Sequence, residues 1–242
     1  MNFMEKEKTK LCVMLARGGS KGVPGKNIQL MLGKPLIYYT IKAVQESGVF
    51  DRFILSTDSQ EIADIAKGYG VEVPFLRPKE LAQDDSSSLD GIEHALKWIE
   101  KNDKRYDYVQ YIFPTLPLRT HEDIRGGIDL LIAKKADMVI GVSEANHLSC
   151  LINVLPDDHS MKGFIKPESW GKNRQQLARE YWINGAIYVG KWDIFYEKRP
   201  WYEQNTFAYI MPPERSIDID LPIDFKLAEL LLKEQEKSVI LK

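Results

Sequence analysis

Leu11-Cys-Val-Met-Leu-Ala-Arg-Gly-Gly-Ser-Lys-Gly-Val-Pro-Gly-Lys-Asn27 is the stretch around which the rest of the chain is read. Its first residues, Leu11 to Leu15, are apolar and of the length expected for a fully buried strand. The run then breaks into glycines, Gly18, Gly19, Gly22 and Gly25, interleaved with Arg17, Ser20, Lys21, Lys26 and Asn27. Glycine lets a backbone turn tightly and bring its N–H groups onto an anion, and Arg or Lys then neutralises that anion. The segment therefore reads either as a tight turn or as a polyphosphate cradle. It matches neither common nucleotide loop. A Walker loop ends in Gly-Lys-Ser or Gly-Lys-Thr, whereas Gly25-Lys26 is followed by Asn27. A dinucleotide loop carries no cationic pair and opens into a helix, which Pro24-Gly25 delays here. The cations Arg17, Lys21 and Lys26 favour a triphosphate over a pyrophosphate.

Outward from this loop the chain alternates strand, loop and helix. Leu36, Ile37, Thr40, Ile41 and Val44 form an inward stripe at helical spacing, with Pro35 at the helix start. Phe53 to Ser56 reads as a second buried strand, and Ser59 as the N-cap of a helix over Gln60 to Lys67. Val71 to Leu76 reads as a third strand, feeding a long polar loop from Arg77 to Ser88. Loops of that length in compact domains usually carry function. A helix over Leu89 to Lys101, a strand over Tyr108 to Phe113 and a capping box at Thr120-His-Glu-Asp123 follow. Met138 to Val142 is the next strand. The expected fold is α/β: a Rossmann-like, mostly parallel sheet with helices on both faces. Ligands of such sheets sit beyond the carboxyl ends of the strands.

The rhythm fails over 143–181. Leu151 to Leu155 and Met161 to Ile165 read as short strands around a Pro156-Asp157-Asp158 turn, in a small inserted subdomain of one 1–242 domain. Its apolar residues need a partner surface. Asn184 to Val189 returns to the sheet and Phe207 to Met211 adds a strand. In Ile217-Asp-Ile-Asp-Leu221 the alternation of a strand places Asp218 and Asp220 on one face. That is either an exposed edge with solvated acids or a Mg²⁺ site, because Mg²⁺ takes carboxylate oxygen together with phosphate and water.

The net charge of −2 argues against a nucleic-acid binder, so any anion site is a local concentration of cations. Met1 to Lys10 lacks the apolar core of a signal peptide, and no apolar run reaches membrane-spanning length. A cytoplasmic enzyme with no membrane partner is the expectation. Cys12 and Cys150 have no metal-ligand spacing, and Cys12 reads as a core thiol.

Together these pieces resemble the acylneuraminate cytidylyltransferases, which make CMP-sialic acid and CMP-activated relatives. The markers run in order from Ala16-Arg-Gly-Gly-Ser-Lys-Gly-Val-Pro-Gly-Lys-Asn27 through Ser56-Thr-Asp58, Leu76-Arg-Pro-x-Glu-Leu-Ala82 and Pro114-Thr-x-Pro-Leu-Arg119. They continue with Arg174-Gln-Gln176, Asn184-Gly-Ala-Ile-Tyr188 and Ser216-Ile-Asp-Ile-Asp220. The resemblance implies that Arg17, Gly18, Gly19, Ser20, Lys21, Lys26 and Asn27 hold the triphosphate of CTP. It places Arg77, Ser87 and Ser88 at the cytidine half, and Asp218 and Asp220 on Mg²⁺. Phe113, Arg174, Gln176, Trp182, Asn184 and Tyr188 fall on the side of a sugar-acid substrate. The resemblance also implies a second subunit as the partner surface for the apolar residues of 143–181, hence a homodimer.

The implied reaction is attack of a sugar's anomeric hydroxyl on the α-phosphorus of CTP, with Arg17, Lys21, Lys26, Asp218 and Asp220 catalytic. No base is obvious, and a metal-bound hydroxyl losing its proton to either Asp is the preferred route. Another NTP or sugar, or a non-catalytic sugar-nucleotide sensor, are the rival readings. Phe113 stands where the family has an amide, Cys150 where it has a Lys, and Trp182 where it has an Arg. These departures imply a less polar sugar, such as a deoxy, diacylamino nonulosonic acid.

Overall fold

The computed structural model describes residues 7–19, 22–172 and 174–240; Ser20 and Lys21 lie outside the described residues, as does the side chain of Arg174. Strand β1 (Lys10–Leu15) sits between β4 (Arg52–Ser56) and β5 (Tyr108–Ile112), parallel to both. A central parallel strand is covered on both faces, which is why Leu11 to Leu15 is apolar without alternation. Cys12 and Met14 pack under α1 (Leu36–Ser47) and α4 (His121–Ala133), in a core with Ile37, Ile41, Ile124 and Ile128. Leu11, Val13 and Leu15 face the other way, onto Ile92, Leu96 and Ile99 of α3 (Ser88–Asn102).

Among the described residues the main sheet has the order β4-β1-β5-β7-β6-β8, with β6 (Met138–Glu144), β7 (Tyr181–Lys191) and β8 (Thr206–Met211) completing it. Only β7 runs against its neighbours, antiparallel to β5 and β6, so the sheet is mostly parallel as expected. A short hairpin, β2 (Leu30–Met31) with β3 (Lys34–Pro35), leads into α1. Helix α2 (Gln60–Gly68) has Ser59 as its N-cap, the hydroxyl accepting from Ile62 N. The capping box at Thr120 and Asp123 is present on α4. Helix α5 (Trp192–Tyr196) follows β7, and α6 (Pro222–Ile240) ends the described chain.

Four expected strands are absent from this architecture among the described residues. Val71 to Leu76 makes only isolated bridges, Glu72 with Ile54 and Leu76 with Thr57. Pro74 lies between them and has no N–H to give to a ladder. Leu151 to Leu155 and Met161 to Ile165 are irregular, because side chains take up the backbone groups a ladder would use. Asn153 Nδ2 donates to Phe164 O, its Oδ1 accepts from Val154 N, and Asp158 accepts from Ser160 N. Ser216 to Leu221 is irregular and pairs with no strand along its length. Its Ile219 N–H donates to Thr115 O, and Ile219 is fully buried while Leu221 is exposed.

The irregular segment is pinched off between β6 and β7, where Ala145 N donates to Glu180 O at 2.8 Å. It carries an exposed apolar group: Ile152, Val154, Met161 and Trp170 are each at least 60% exposed. Among the described residues no helix is long and apolar enough to cross a membrane.

Candidate active site

The loops that follow β1 and β5 and the loop ahead of α3 meet at one edge of the sheet, around a cavity of about 380 Å³. The glycine loop supplies Arg17, Gly19, Gly22, Lys26 and Asn27; the loop ahead of α3 supplies Arg77, Leu81 to Asp84 and Ser86 to Ser88. Phe113, Pro114 and Thr115 come from the end of β5, and Asp220 closes the ring.

The glycine loop is anchored at both ends. Gly18 N donates to Asp58 Oδ1 at 2.9 Å, and Asn27 Nδ2 donates to Arg17 O at 2.9 Å. Gly25 adopts φ 63°, the left-handed turn that starts the short 3-10 helix Lys26–Ile28. Gly22 packs so tightly on the acidic segment that a Cβ there would lie 2.1 Å from the Asp220 carbonyl oxygen. Lys26 reaches the same segment, donating to Ile219 O and pairing with Asp220 Oδ1 at 3.2 Å.

Arg77 is buried, and Gly91 of α3 makes room for it, since a Cβ there would stand 2.7 Å from its guanidinium. Burial holds the Arg77 pKa below its ordinary value; Asp58 acts in the opposite direction and Arg17 adds to the depression. Among the described residues no carboxylate forms an ion pair with it, and its Nε has no partner. A buried guanidinium whose counter-charge, Asp58, acts only at a distance is poised for an anion. Arg17 is placed differently from the simple expectation. It bridges to the neighbouring loop, through NH1 to Gln83 O at 2.8 Å and NH2 to Asp84 Oδ1 at 2.9 Å.

The acidic segment holds Asp218 half-buried and Asp220 exposed. Burial pushes the Asp218 carboxyl above its ordinary value; the Thr115 hydroxyl opposes this, Asp220 adds to it, and Lys26 and Arg119 pull it down. Its Oδ1 is buried without a hydrogen-bond partner. An orphaned carboxylate oxygen beside a second carboxylate is a fit for a hard divalent cation, which needs only one or two protein carboxylates when phosphate supplies the rest. No cluster of three or more metal-ligating side chains occurs among the described residues.

This arrangement matches a known sequence pattern. The family model described as Cytidylyltransferase covers residues 11–160. The chain belongs to the cytidylyltransferase family. It is 31% identical over 229 residues to a pseudaminic acid cytidylyltransferase of Campylobacter jejuni, covering 94% of this chain and 98% of that one. It is 34% identical over 235 residues to a CMP-N,N'-diacetyllegionaminic acid synthase of Legionella pneumophila, covering 95% of this chain and 99% of that one. An N-acylneuraminate cytidylyltransferase of Escherichia coli is 34% identical over 95% of this chain, which spans 54% of that longer protein. Among solved structures, a CMP:2-keto-3-deoxy-manno-octonic acid synthetase complexed with CTP superposes with TM-score 0.70 at 15% identity, over 94% of this chain and 99% of that one. The fold is therefore that of nucleotidyltransferases, and the resemblance read from the motifs is borne out.

Within this cytidylyltransferase Arg17, Gly19, Lys26, Asn27, Arg77, Ser87 and Ser88, expected on the nucleotide side, line one cavity, whereas of the residues expected on the sugar side Phe113 alone among the described ones lines it. Phe113 lines the cavity and packs edge-on against Tyr111, with ring centroids 5.5 Å apart. Tyr188 stacks on Tyr111 at 4.7 Å, and burial raises its pKa to about 12. Asn184 is 1% exposed and both its polar atoms serve the protein: Nδ2 donates to Ser216 Oγ and Oδ1 accepts from Ala186 N. That makes it a brace under the acidic segment, where ligand contact was expected. Trp182 is 43% exposed, and Gln176 is exposed within the segment between β6 and β7; neither lines the cavity. Ser87 is the N-cap of α3, accepting from Leu89 N.

Three further residues shape the site without having been assigned a role in it. Thr115 lines the cavity and its carbonyl accepts from Ile219 N. Arg119, fully buried, donates to Ala186 O, Thr40 Oγ1 and Phe113 O, and burial lowers its pKa to about 10. Asp58 holds Gly18. All three lie inside the quoted motifs, so the signal was present; what the sequence lacks is the partner of each side chain.

Proposed function

We propose that this cytidylyltransferase binds CTP in the 380 Å³ cavity and transfers its cytidylyl group to a nonulosonic, sialic-acid-like sugar acid. The observation that carries this reading is the convergence of Lys26, Arg77 and Asp220 on one cavity, with the orphaned Asp218 Oδ1 beside it. In the reaction the sugar hydroxyl oxygen forms a bond to the α-phosphorus as the bond from that phosphorus to the β-phosphate oxygen breaks. The products are CMP-sugar and pyrophosphate, and the hydroxyl proton passes to a carboxylate of the Asp218–Asp220 pair.

Arg77 and the N-terminal turn of α3 hold the nucleotide, while Lys26, Arg17 and Lys21 offset charge on the triphosphate and leaving group. Positioning and charge neutralisation dominate such transfers. Asp218 and Asp220 would hold Mg²⁺, which supplies further neutralisation of phosphate charge. The exposed apolar residues between β6 and β7 support a homodimer closed through that segment. Sedimentation at micromolar concentration tests the dimer; a single-chain mass overturns it.

The deciding assay measures pyrophosphate release with each of four NTPs against N-acetylneuraminic, pseudaminic and N,N'-diacetyllegionaminic acids and a sugar phosphate. Turnover confined to CTP and a nonulosonic acid supports the proposal. Turnover with another NTP or with the sugar phosphate rejects it. CTP binding with no turnover on any acceptor supports a sugar-nucleotide sensor instead.

A further inference from the structure

The acidic segment has no sheet ladder to hold it, yet its carboxylates must be set against a cavity built by distant loops. Upstream of Asp218 its firmest attachment is to α4. Asp123, the third residue of that helix, is fully buried. Its Oδ2 accepts from Thr120 N at 3.0 Å, from Thr120 Oγ1 at 3.1 Å and from Arg215 Nε at 2.9 Å, and its Oδ1 accepts from Arg215 NH2 at 2.9 Å. Arg215 closes the short 3-10 helix Pro213–Arg215. The next residue, Ser216, donates to Pro212 O and accepts from Asn184 Nδ2. Asp218 follows two residues later.

We propose that the Asp123–Arg215 ion pair is a positioning device for the metal-binding carboxylates, carrying the rigidity of the α4 capping box into the Asp218–Asp220 segment. This rests on the reading of that segment as a metal site. A bidentate guanidinium–carboxylate pair fixes an orientation as well as a distance, which a single hydrogen bond does not. A pair that desolvates a carboxylate this completely is weak as a source of stability alone, since replacement by apolar residues is often neutral. Its geometric content is therefore the larger part of what it contributes. Asp123 is doubly suited to anchor the pair, because a carboxylate in the first turn of a helix is stabilised by the helix dipole. Asn184 completes the bracket from β7, which gives its burial a purpose.

The test uses Arg215→Met, which keeps the stem and removes both bonds, with Arg215→Lys as the conservative variant and Asp218→Asn as the reference. Mn²⁺ binding is followed by electron paramagnetic resonance at saturating CTP, CTP affinity by calorimetry in EDTA, and the melting temperature in parallel. Arg215→Met is expected to weaken Mn²⁺ binding by about tenfold or more, the range for groups that orient a metal's ligands. CTP affinity in EDTA should stay within about twofold of the parent, with Arg215→Lys between the two for Mn²⁺. Unchanged Mn²⁺ affinity in Arg215→Met, with Asp218→Asn impaired, overturns the positioning role alone. An equal loss of Mn²⁺ and metal-free CTP binding also overturns it, as general loosening. If Asp218→Asn binds Mn²⁺ normally, the metal reading falls and this inference with it.

Discussion

Gly22→Ala is a one-atom test of whether the glycine loop and the acidic segment form one surface. The added Cβ would lie 2.1 Å from the Asp220 carbonyl oxygen and 3.3 Å from its carbon. An ordinary carbon–oxygen contact needs roughly an ångström more. The obstruction is backbone, so no side chain can rotate away and either the loop or the Asp220 segment must shift.

Overpacking of this kind costs about 1–3 kcal/mol, which a domain with the usual 5–15 kcal/mol survives. A displacement of about 1 Å at reacting groups costs on the order of 10²-fold in rate, or about 2.7 kcal/mol. Gly22→Ala is therefore expected to remain folded by circular dichroism, with kcat/KM for cytidylyl transfer lowered about a hundredfold and the Mg²⁺ requirement raised. Gly19→Ala is the control, because its Cβ would meet nothing within 4 Å among the described residues. Any defect in that variant must come from the ligand side. A Gly22→Ala enzyme within about threefold of the parent, at unchanged Mg²⁺ dependence, would refute the idea of a shared surface.

Asp218→Asn should lose most turnover while keeping or slightly raising the melting temperature, because a desolvated carboxylate with an orphaned oxygen is replaced by a neutral amide; near-normal rate at saturating Mg²⁺ rejects its role. Phe113→Gln should move selectivity towards N-acetylneuraminic acid, measured as the ratio of kcat/KM values for two sugars; an unchanged ratio shows that Phe113 is packing alone. Cys12 is fully buried and burial pushes its thiol far above the ordinary value of 9.0, so the fold keeps the proton that the unfolded chain releases. Native stability therefore falls as pH rises above 9.0, by about 1.4 kcal/mol per unit from this group. Denaturant titrations of the parent and Cys12→Ala should converge between those pH values and higher ones; parallel curves would count against it.

Much of the nucleotide side was legible because its signals are local. A buried strand followed by glycines and cations narrows the chemistry to a tight turn or an anion cradle, and the Thr120 capping box and the Ser59 cap are short-range patterns with one physical meaning. The failures share a cause. Ladder formation depends on a partner strand, and neither Val71 to Leu76 nor Ser216 to Leu221 has one along its length. Alternation in Ile217 to Leu221 correctly marked Ile219 as buried, but Leu221 turns outward as Asp224 caps the start of α6 through the Asp220 and Leu221 N–H groups. The sugar-side residues were less legible still. Asn184 is a polar residue whose partners, Ser216 and Ala186, differ from it by up to 32 positions, and no pattern near Asn184 announces them.

The cations of the cavity are not equivalent, and that difference bears on how a chain of net charge −2 binds a polyanion. Arg17 is paired with Asp84 across a solvated rim, where an ion pair is worth about 0–1 kcal/mol, so a phosphate competing for it displaces little. Arg77 is buried with no ion pair among the described residues and feels Asp58 only at a distance, so an anion that reaches it need not break a direct pair. Lys26 is a third kind. By holding Ile219 O and Asp220 Oδ1 it ties the glycine loop to a segment 194 positions away, and Gly22 meets that same segment through backbone alone. Loop and acidic segment therefore shift together or not at all. Removing Lys26 is then expected to disturb the carboxylates as well as the phosphates, whereas removing Arg17 disturbs only the rim.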